Sequence, residues 1–523
     1  MVITPMMNLE LLHRPSSVER NTRKGRVVVV SNRVPPPSTA SPNVGGLAVA
    51  LEAALKDSGG LWFGWSGGIS EETGCAVRCW YDGGRSLTFA VCDLPRRDVD
   101  QYYAGFSNRT LWPICHYRLD LATLCECDAE AYFRVNERFA DQLAKLLRPD
   151  DLIWVHDYHL IPLACFLRQR GYKNRVGFFL HIPWPAPDVA SALPSYENIL
   201  HCFGAYDLIG FQTEGDAANF RDCLVAASVG RIAGDEWEID RRRIKIGAFP
   251  IGIDNDAFAR EARSAENNGA VKRTIMSIAD SALVIGVDRL DYSKGLKHRM
   301  EAFGKFLERT PRTARSRVTM LQVTPKSRSE VPAYAAMQRE LEEEAGRING
   351  KYGDIDWTPL RYINRSLSRS VLAGLYRMSC IGLVTPLRDG MNLVAKEYVA
   401  AQSPDTPGVL ILSQFAGAAQ ELKEALIVNP YDIEATAAAI AQAYAMPVEE
   451  RRQRWQANMD ALRANSVFNW SSRFLEALAN SDEDSEGEVI GPPLPGAEDL
   501  IPLTPLKATR RPTGWKGGSA LVS

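Results

Sequence analysis

Residues 384–397 place polar side chains in a short turn between an apolar run and a helix-forming run. The turn carries Arg388, Asp389 and Gly390. A helix N-terminus presents free backbone N–H groups and the positive end of the helix dipole, so it attracts phosphate. Glycine lets a ligand approach the backbone closely. We interpret this turn as a candidate site for a phosphorylated ligand, with Asp389 on a sugar hydroxyl and Glu397 on a ribose diol. An ordinary strand-to-helix turn is the alternative.

Two further turns carry residue types that suit phosphate. Arg289 and Lys294 follow a predicted strand, and Gly45 and Gly46 open a predicted helix in the first half of the chain. Arginine offers a planar fork of donors and lysine a mobile point charge, so the two together could neutralise a diphosphate without a metal. The alternatives are a solvated loop with incidental charges and a plain glycine turn.

The elements that must position these residues alternate along the chain. Short β-branched or apolar runs of the kind buried in parallel sheets are separated by helix-length segments such as 131–147 and 160–170. This alternation predicts an α/β fold with a doubly wound parallel sheet in each half, and such sheets bind ligands at the carboxyl ends of their strands. The predicted strands are 26–31, 151–155, 176–180, 208–211, 283–287, 318–323, 381–384 and 409–412.

The length of the chain predicts two domains with extended tails. A chain of 523 residues exceeds what one hydrophobic core usually supports. We predict a first Rossmann-like domain at 26–250 and a second at 251–479, closed by C-terminal helices. The first 25 residues and the segment 480–523, which is acidic and then rich in Pro and Gly, are predicted to be disordered.

Composition excludes several classes of partner. With 46% hydrophobic residues, 24% charged residues and a net charge of −2, the chain lacks the basic footprint expected for nucleic-acid or membrane binding. No apolar run is long enough to span a bilayer, and the N-terminus lacks the continuous apolar region of a secretory signal. The ten cysteines show no zinc-knuckle spacing. We therefore expect a cytoplasmic protein with reduced thiols.

Ten segments in this order resemble the trehalose-6-phosphate synthases, retaining glycosyltransferases with two facing Rossmann-like domains and an interdomain catalytic cleft, the GT-B fold. The resemblance spans about 26–475. It implies transfer of glucose from a nucleotide-glucose, usually UDP-glucose, to glucose 6-phosphate, giving α,α-trehalose 6-phosphate. The segments are 31–33, 45–47, 61–65, 102–103, 111–113, 156–159, 181–185, 288–295, 327–328 and 388–397.

The resemblance also implies roles for individual residues on the donor side. Arg289 and Lys294 neutralise the diphosphate, Asp389 and His181 grip the donor glucose, and Glu397 binds the ribose. Leu367 stands at a nucleotide-contact position where some relatives have an aromatic residue, which leaves the base preference open. The complete donor set is Gly45, Gly46, Arg289, Lys294, Leu367, Asp389, Asn392, Leu393, Val394, Ala395, Lys396 and Glu397.

The acceptor side and the chemistry follow from the same resemblance. Arg33 and Arg328 clamp the 6-phosphate with Tyr103 nearby, while Asp157 and Trp112 orient the sugar ring. A carboxylate pair for double displacement is not evident among these residues. The family instead retains configuration by same-face attack, with the departing phosphate accepting the proton of the acceptor. The expected catalytic residues are Asp389, His181, Arg289, Lys294 and Asp157.

The expected setting is a small-molecule enzyme that needs neither a metal nor a cofactor. We expect a homo-oligomer, a dimer or a tetramer, and a separate phosphatase that releases trehalose, since little chain follows residue 475. Two alternatives stay open. One is a glucosylglycerol-phosphate synthase or another sugar-phosphate glucosyltransferase; the other is a catalytically silent relative that senses sugar phosphates. Intact Arg289, Lys294, Asp389 and Glu397 argue against the second.

Overall fold

The protein is described by a computed structural model. It covers residues 25–34, 51, 55, 60–71, 76–83, 86–278, 281–311, 318–326 and 332–481. The predicted disordered tails therefore lie outside the described residues, apart from Gly25, Asn480 and Ser481.

The first half of the chain builds a sheet of ten strands in the order β3-β4-β2-β1-β5-β6-β7-β10-β9-β8. The strands from β4 through β10 in this order pair in parallel, and β3, β9 and β8 add antiparallel edges. Both faces are covered, so central strands such as β1 are buried along nearly their whole length. The strands are β1 Val27–Arg33, β2 Gly60–Ser70, β3 Arg78–Asp82, β4 Leu87–Pro95, β5 Leu152–His156, β6 Val176–Phe179, β7 Leu208–Phe211, β8 Arg231–Ala233, β9 Glu236–Ile239 and β10 Arg242–Ala248.

The second half builds a sheet of six strands in the order β13-β12-β11-β14-β15-β16. All of its pairs are parallel, with β11 and β14 side by side at the centre. The strand order reverses at this central pair, and open α/β sheets bind ligands in the crevice at such a switch point. The strands are β11 Ala282–Val287, β12 Val318–Val323, β13 Leu360–Ile363, β14 Ile381–Val384, β15 Val409–Ser413 and β16 Leu426–Val428.

Helices connect the strands and cover both faces of the sheets, as the predicted doubly wound architecture requires. A π-helix, Val99–Leu111, follows the short helix Arg96–Asp98 in the first half. The other α-helices are Trp112–Cys115, Glu126–Ala144, Leu163–Gln169, Pro187–Ala190, Tyr196–Cys202, Glu214–Ala226, Asn255–Ala265, Gly269–Ser277, Leu296–Arg309, Pro332–Tyr352, Arg369–Met378, Leu393–Ala401, Ile433–Ala445, Val448–Ala464 and Val467–Ala479.

The eight strands predicted from apolar runs are all confirmed, with ends that differ by at most two residues. Eight strands of the described residues were not predicted: β2, β3, β4, β8, β9, β10, β13 and β16. The reason is visible in β2, where Gly and Ser interrupt the apolar pattern, and in β8 to β10, which carry charged residues such as Arg231, Glu236 and Arg243. Apolar periodicity finds strands buried on both faces better than edge strands.

The last helix, Val467–Ala479, returns from the second half to pack on the first sheet. The Phe474 ring stacks on Trp154 of β5 with 4.9 Å between ring centroids. Gly177 and Gly210 make room, because a Cβ atom at either position would lie within 2.8 Å of the Phe474 ring. The polypeptide thus passes from the first half to the second at 249–254 and returns just before this helix. Two connecting segments therefore link the domains.

One sequence expectation about the thiols is wrong. The structure joins Cys125 and Cys127 by a disulfide at the start of the helix Glu126–Ala144, whereas reduced thiols were expected throughout. Among the other cysteines of the described residues, Cys92, Cys115, Cys202 and Cys223 are buried. No helix among the described residues combines the length and the apolar character needed to cross a membrane.

Candidate active site

The turn after β14 holds the predicted sugar-binding carboxylate between two polar partners. The Lys294 ammonium lies 2.5 Å from Asp389 Oδ2, and both side chains are largely buried. Asn392 Nδ2 donates to the same oxygen at 3.0 Å. Since Lys294 follows β11 and Asp389 follows β14, these groups meet at the carboxyl ends of the two central strands. The sequence predicted this juxtaposition from the rule for open parallel sheets.

The helix Leu393–Ala401 begins directly behind this turn. Asn392 is its N-cap residue, with a positive φ of 74°, and its side chain accepts a hydrogen bond from the Ala395 N–H at 3.1 Å. Leu393 and Val394 stay half-buried in the first turn. The positive end of the helix therefore lies beside the Lys294–Asp389 pair, as an anion-binding site requires.

Two predicted donor residues of this helix face different ways. Lys396 is fully buried, and its ammonium donates to the Ile251 carbonyl at 2.7 Å and to Glu421 at 2.6 Å. Its side chain thus points into the protein. Glu397 is half-buried, and desolvation raises the pKa of its carboxyl to about 7 although Arg369 opposes the shift. Leu367, the predicted base contact, is half-buried on the neighbouring apolar cluster.

Arg289 contacts the first domain. Its guanidinium lies over the Trp112 ring at 4.6 Å, close enough for a cation–π interaction. Asp291 faces the same cation, with 3.4 Å between Asp291 Oδ2 and Arg289 Nη2, and its other oxygen accepts from Trp112 Nε1 at 3.4 Å. The predicted acceptor residue Trp112 and the predicted diphosphate residue Arg289 therefore share one cross-domain cluster.

His116 lies beneath Trp112 and was not predicted. The two ring centroids are 4.1 Å apart, and His116 Nδ1 donates to the Trp112 carbonyl at 2.7 Å. Burial lowers the pKa of His116 to about 4, so the ring is neutral at pH 7. A neutral ring supports Trp112 without adding positive charge against Arg289. No spacing pattern marks His116 in the sequence, since its role depends on the helical turn that places it against Trp112.

His181 and Asp157 lie together at the ends of neighbouring strands of the first sheet. Asp157 has a positive φ of 76° and accepts from the His181 backbone N–H at 3.3 Å. The His181 carbonyl contacts the donor turn, because a Cβ atom on Gly390 would lie only 2.1 Å from that oxygen. Gly390 is required for this close approach, which brings the His181 backbone next to the turn that carries Asp389.

Arg33 belongs to an aromatic cluster at the end of β1. Its guanidinium lies 5.0 Å from the centroid of the Trp65 ring. The Trp65 ring is 5.4 Å from Tyr103, which in turn stacks on His159 at 5.9 Å. Arg33 is exposed at the edge of this cluster. The structure thus brings Arg33 and Tyr103 together, whereas Gly45, Gly46 and Arg328 lie outside the described residues.

A buried arginine behind the second-domain site was also missed. Arg299 donates to Asp288 Oδ2 at 2.7 Å, to Gln322 Oε1 at 3.2 Å and to Thr385 Oγ1 at 3.0 Å. These partners stand in or directly after β11, β12 and β14, so one guanidinium fixes the ends of three strands. Burial raises the pKa of Asp288 while Arg299 opposes that shift. This network holds the turn of Lys294 from behind.

The arrangement can bind an anionic group and orient a neutral sugar. Cations from Arg289 and Lys294 and the start of the helix Leu393–Ala401 suit a diphosphate, while Asp389 and the His181 region offer acceptors for hydroxyl groups. Arg33 offers a further cation, on the first domain. Two groups of cations, together with hydrogen-bond acceptors for hydroxyl groups, suit a reaction between a nucleotide sugar and a phosphorylated acceptor.

Several known proteins are similar to this chain in sequence and in fold. A protein of Sinorhizobium fredii described as trehalose-6-phosphate synthase is 55% identical over 88% of this chain and 99% of its own length. A crystal structure from Burkholderia xenovorans, described as an α,α-trehalose-phosphate synthase (UDP-forming) in complex with glucose-6-phosphate, is 48% identical. It covers 87% of this chain and all of its own, with a TM-score of 0.83. Another structure, described as trehalose-6-phosphate synthase OtsA, is 45% identical, covers 87% of this chain and 99% of its own, and has a TM-score of 0.84.

The likeness extends over nearly all the described residues and confirms the two-domain GT-B fold that the resemblance implied. A model of the family described as Glycosyltransferase family 20 matches residues 23–480. The chain belongs to glycosyltransferase family 20.

Proposed function

We propose that this protein transfers glucose from UDP-glucose to glucose 6-phosphate with retention of configuration, giving α,α-trehalose 6-phosphate and UDP. The observation that carries the proposal is the meeting of Lys294, Asp389 and the start of the helix Leu393–Ala401 at the switch point of the second sheet, opposite Arg33 and Trp112 of the first. Relatives that are similar over most of this chain are described as enzymes with the same activity.

The donor would lie along the second domain. Arg289, Lys294 and the N–H groups at the helix start would bind its diphosphate, Asp389 its glucose and Glu397 its ribose. Leu367 and residues 393–397 would contact the nucleotide, mainly through backbone where side chains such as Lys396 point inward. Gly45 and Gly46 would approach the diphosphate from the first domain.

The acceptor would lie against the first domain. Arg33 and Arg328 would bind its phosphate, with Tyr103 beside Arg33 and with Trp112 and Asp157 along the ring. An arginine fork on a phosphate gives charge-assisted hydrogen bonds that fix direction as well as charge. This arrangement would set the attacking hydroxyl on the same face of the donor as the leaving phosphate.

The reaction would break the bond between C1 of the donor glucose and the β-phosphate oxygen, and form a bond from C1 to O1 of the acceptor. The proton of that hydroxyl would pass to the departing phosphate oxygen. The protein contributes mainly by positioning both substrates and by stabilising the charge that develops on UDP. Arg289 and Lys294 supply that charge compensation, so we propose that the chemical step needs no metal or cofactor.

The test is to incubate the purified protein with UDP-glucose and either glucose 6-phosphate or glycerol 3-phosphate. Release of UDP and the anomeric proton signals of the product are followed by NMR. The proposal expects a product with two α-anomeric protons from glucose 6-phosphate and little turnover with glycerol 3-phosphate. Preference for glycerol 3-phosphate would favour a glucosylglycerol-phosphate synthase, and binding without turnover would favour a silent sensing relative. ADP-glucose and GDP-glucose in parallel would test the base preference.

The proposal also covers the reaction that would follow, the oligomeric state and the compartment. The product carries a phosphate ester, so a phosphatase reaction elsewhere would be needed to release trehalose. We also propose a homo-oligomer, a dimer or a tetramer, working in the cytoplasm on small-molecule substrates. Size-exclusion chromatography with light scattering would measure the oligomeric state.

A further inference from the structure

A buried chain of hydrogen bonds runs through the segment that links the two sheets. Ile251 lies in this segment and is held from both sides. Its N–H donates to Gln212 Oε1 at 3.1 Å, and its carbonyl accepts from Lys396 Nζ at 2.7 Å. Gln212 directly follows β7 of the first sheet, and Lys396 belongs to the helix Leu393–Ala401 of the second half. One linker residue thus connects the donor-side helix to the first domain.

Lys396 takes part in this chain as a buried charge. Its side chain has no exposed surface, and Glu421 lies 2.6 Å from its ammonium with 8% of its own side chain exposed. Burial lowers the pKa of Lys396, while Glu421 opposes that shift. Burying a charge is costly unless it is paired and hydrogen-bonded, and the bonds to Glu421 and Ile251 satisfy that need. The Lys396 side chain therefore binds the linker and does not lie on the exposed surface of the helix.

The other end of the chain fixes the tautomer of His181. Because the Ile251 N–H can only donate, the oxygen of the Gln212 amide must face Ile251 and the nitrogen must face His181. Gln212 Nε2 then donates to His181 Nδ1 at 3.3 Å. The proton of the neutral ring is consequently on Nε2, which lies 3.0 Å from His156 Nδ1 and donates to it. This assignment follows from the hydrogen-bond network alone.

The surroundings keep both histidine rings neutral and in place. Burial lowers the pKa of His181 to about 3 and that of His156 well below its ordinary value. The His156 ring lies 4.5 Å from the Trp154 ring and 6.2 Å from the Trp470 ring, centroid to centroid. The His181 carbonyl meets Gly390, next to Asp389. The chain of hydrogen bonds therefore starts at Lys396 in the helix Leu393–Ala401. It ends at His181, which contacts the turn that immediately precedes that helix.

We propose that Gln212 and Lys396 are positioning residues, which act through Ile251 to hold His181 in one tautomer and in register with the turn of Asp389. This inference rests on the proposed function only for its kinetic consequence. A sugar gripped between the two domains needs both sides set to within a fraction of an ångström, and small misplacements are costly in rate. The linker would supply that alignment.

The first test observes His181 directly in the intact protein. Imidazole ¹⁵N spectra are recorded for the wild type, for Gln212→Leu and for Gln212→Glu, with His181→Phe used to assign the signals. We expect the wild type to show His181 protonated on Nε2 only. A carboxylate at 212 can only accept, so Gln212→Glu should move a proton to Nδ1 of His181. Gln212→Leu should give a mixture of tautomers.

Gln402→Leu is the matched control. Gln402 is also a buried glutamine, and it lies at the C-terminal end of the helix Leu393–Ala401. Its side chain donates to the Tyr376 and Tyr398 carbonyls and accepts from the Gly408 N–H. Its loss should lower the melting temperature by an amount similar to Gln212→Leu but leave the His181 signals unchanged. Identical His181 spectra in Gln212→Leu, Gln212→Glu and the wild type would overturn the proposal.

The second test is kinetic. We expect Gln212→Leu and Lys396→Met/Glu421→Gln each to lower kcat by about tenfold or more, with less than a threefold change in the KM of glucose 6-phosphate. The Glu421 substitution removes the carboxylate that would otherwise be left buried and unpaired. Because both changes act through Ile251, their combination should be less than additive in free energy. Wild-type turnover in either folded variant, or full additivity, would contradict the shared route. Should the wild type transfer no glucose, the proposed function fails, and the ¹⁵N spectra still decide whether Gln212 sets the tautomer.

Discussion

Replacement of Lys294 by alanine gives the sharpest test of how the site stabilises the leaving group. The Lys294 ammonium lies 2.5 Å from Asp389 with 11% of its side chain exposed, so it acts where water screens charge only weakly. In the proposed reaction this cation would turn from Asp389 toward the diphosphate as negative charge develops there. Removing one such preorganised donor costs about 2.7–4 kcal/mol, or roughly 10²–10³ in kcat.

The structure also indicates what Lys294→Ala should leave intact. Asp389 keeps the hydrogen bond from Asn392 at 3.0 Å, and the Arg299 network still fixes the strand ends behind the turn. The KM of glucose 6-phosphate should therefore change by less than about threefold, because Arg33 and its aromatic neighbours lie on the first domain. The fold should persist with a lower melting temperature, since a largely buried ion pair loses one partner.

The assay is initial-rate kinetics with each substrate varied in turn, on protein whose folding is checked by circular dichroism and thermal melting. Lys305→Ala serves as the control. Lys305 is paired with Glu308 and Glu434 at the surface of the same domain, and its loss should change kcat by less than about twofold. A kcat for Lys294→Ala within tenfold of the wild type would refute the assignment of Lys294 to the leaving group.

Three other predictions test the acceptor site, the buried carboxyl and the metal-free scheme. Arg33→Lys keeps the charge but loses the planar fork, so the KM of glucose 6-phosphate should rise about tenfold while that of UDP-glucose stays put; the opposite pattern in substrate-saturation curves would place Arg33 on the donor. The pKa of Glu397 in the fold, about 7, lies above its ordinary value of 4.5, so its contribution to stability is complete below pH 4.5 and is lost as the pH rises through 7. Glu397→Gln should therefore raise the melting temperature relative to wild type at pH 8 more than at pH 5, and an equal difference at both pH values would contradict the shift. Turnover should survive EDTA, because Arg289 and Lys294 supply the charge compensation; complete loss that magnesium restores would show that a metal takes part.

The amino-acid sequence by itself determined the two-sheet architecture and pointed to the strand ends that carry the candidate site. Fully buried strands are apolar on both faces, so runs such as 283–287 and 381–384 stand out without any knowledge of the fold. Parallel strands put their carboxyl ends at one edge of a sheet, and the residues that follow them, Lys294 and Asp389 among them, consequently meet. The resemblance of ordered segments gave the family, and the match over residues 23–480 confirms it.

Only the tertiary structure decided which side chains support the site and which way they face. Lys396 stands among predicted nucleotide contacts, yet it points to Ile251 and Glu421, because a helix presents successive residues on different faces. Arg299 with Gln322 and Thr385, and Gln212 with His181, form contacts between residues distant in sequence, and His116 contacts Trp112 within one short helical turn. Burial also sets the protonation of His116, His181 and Glu397. Desolvation depends on what surrounds a group in space, and a linear sequence does not contain that information.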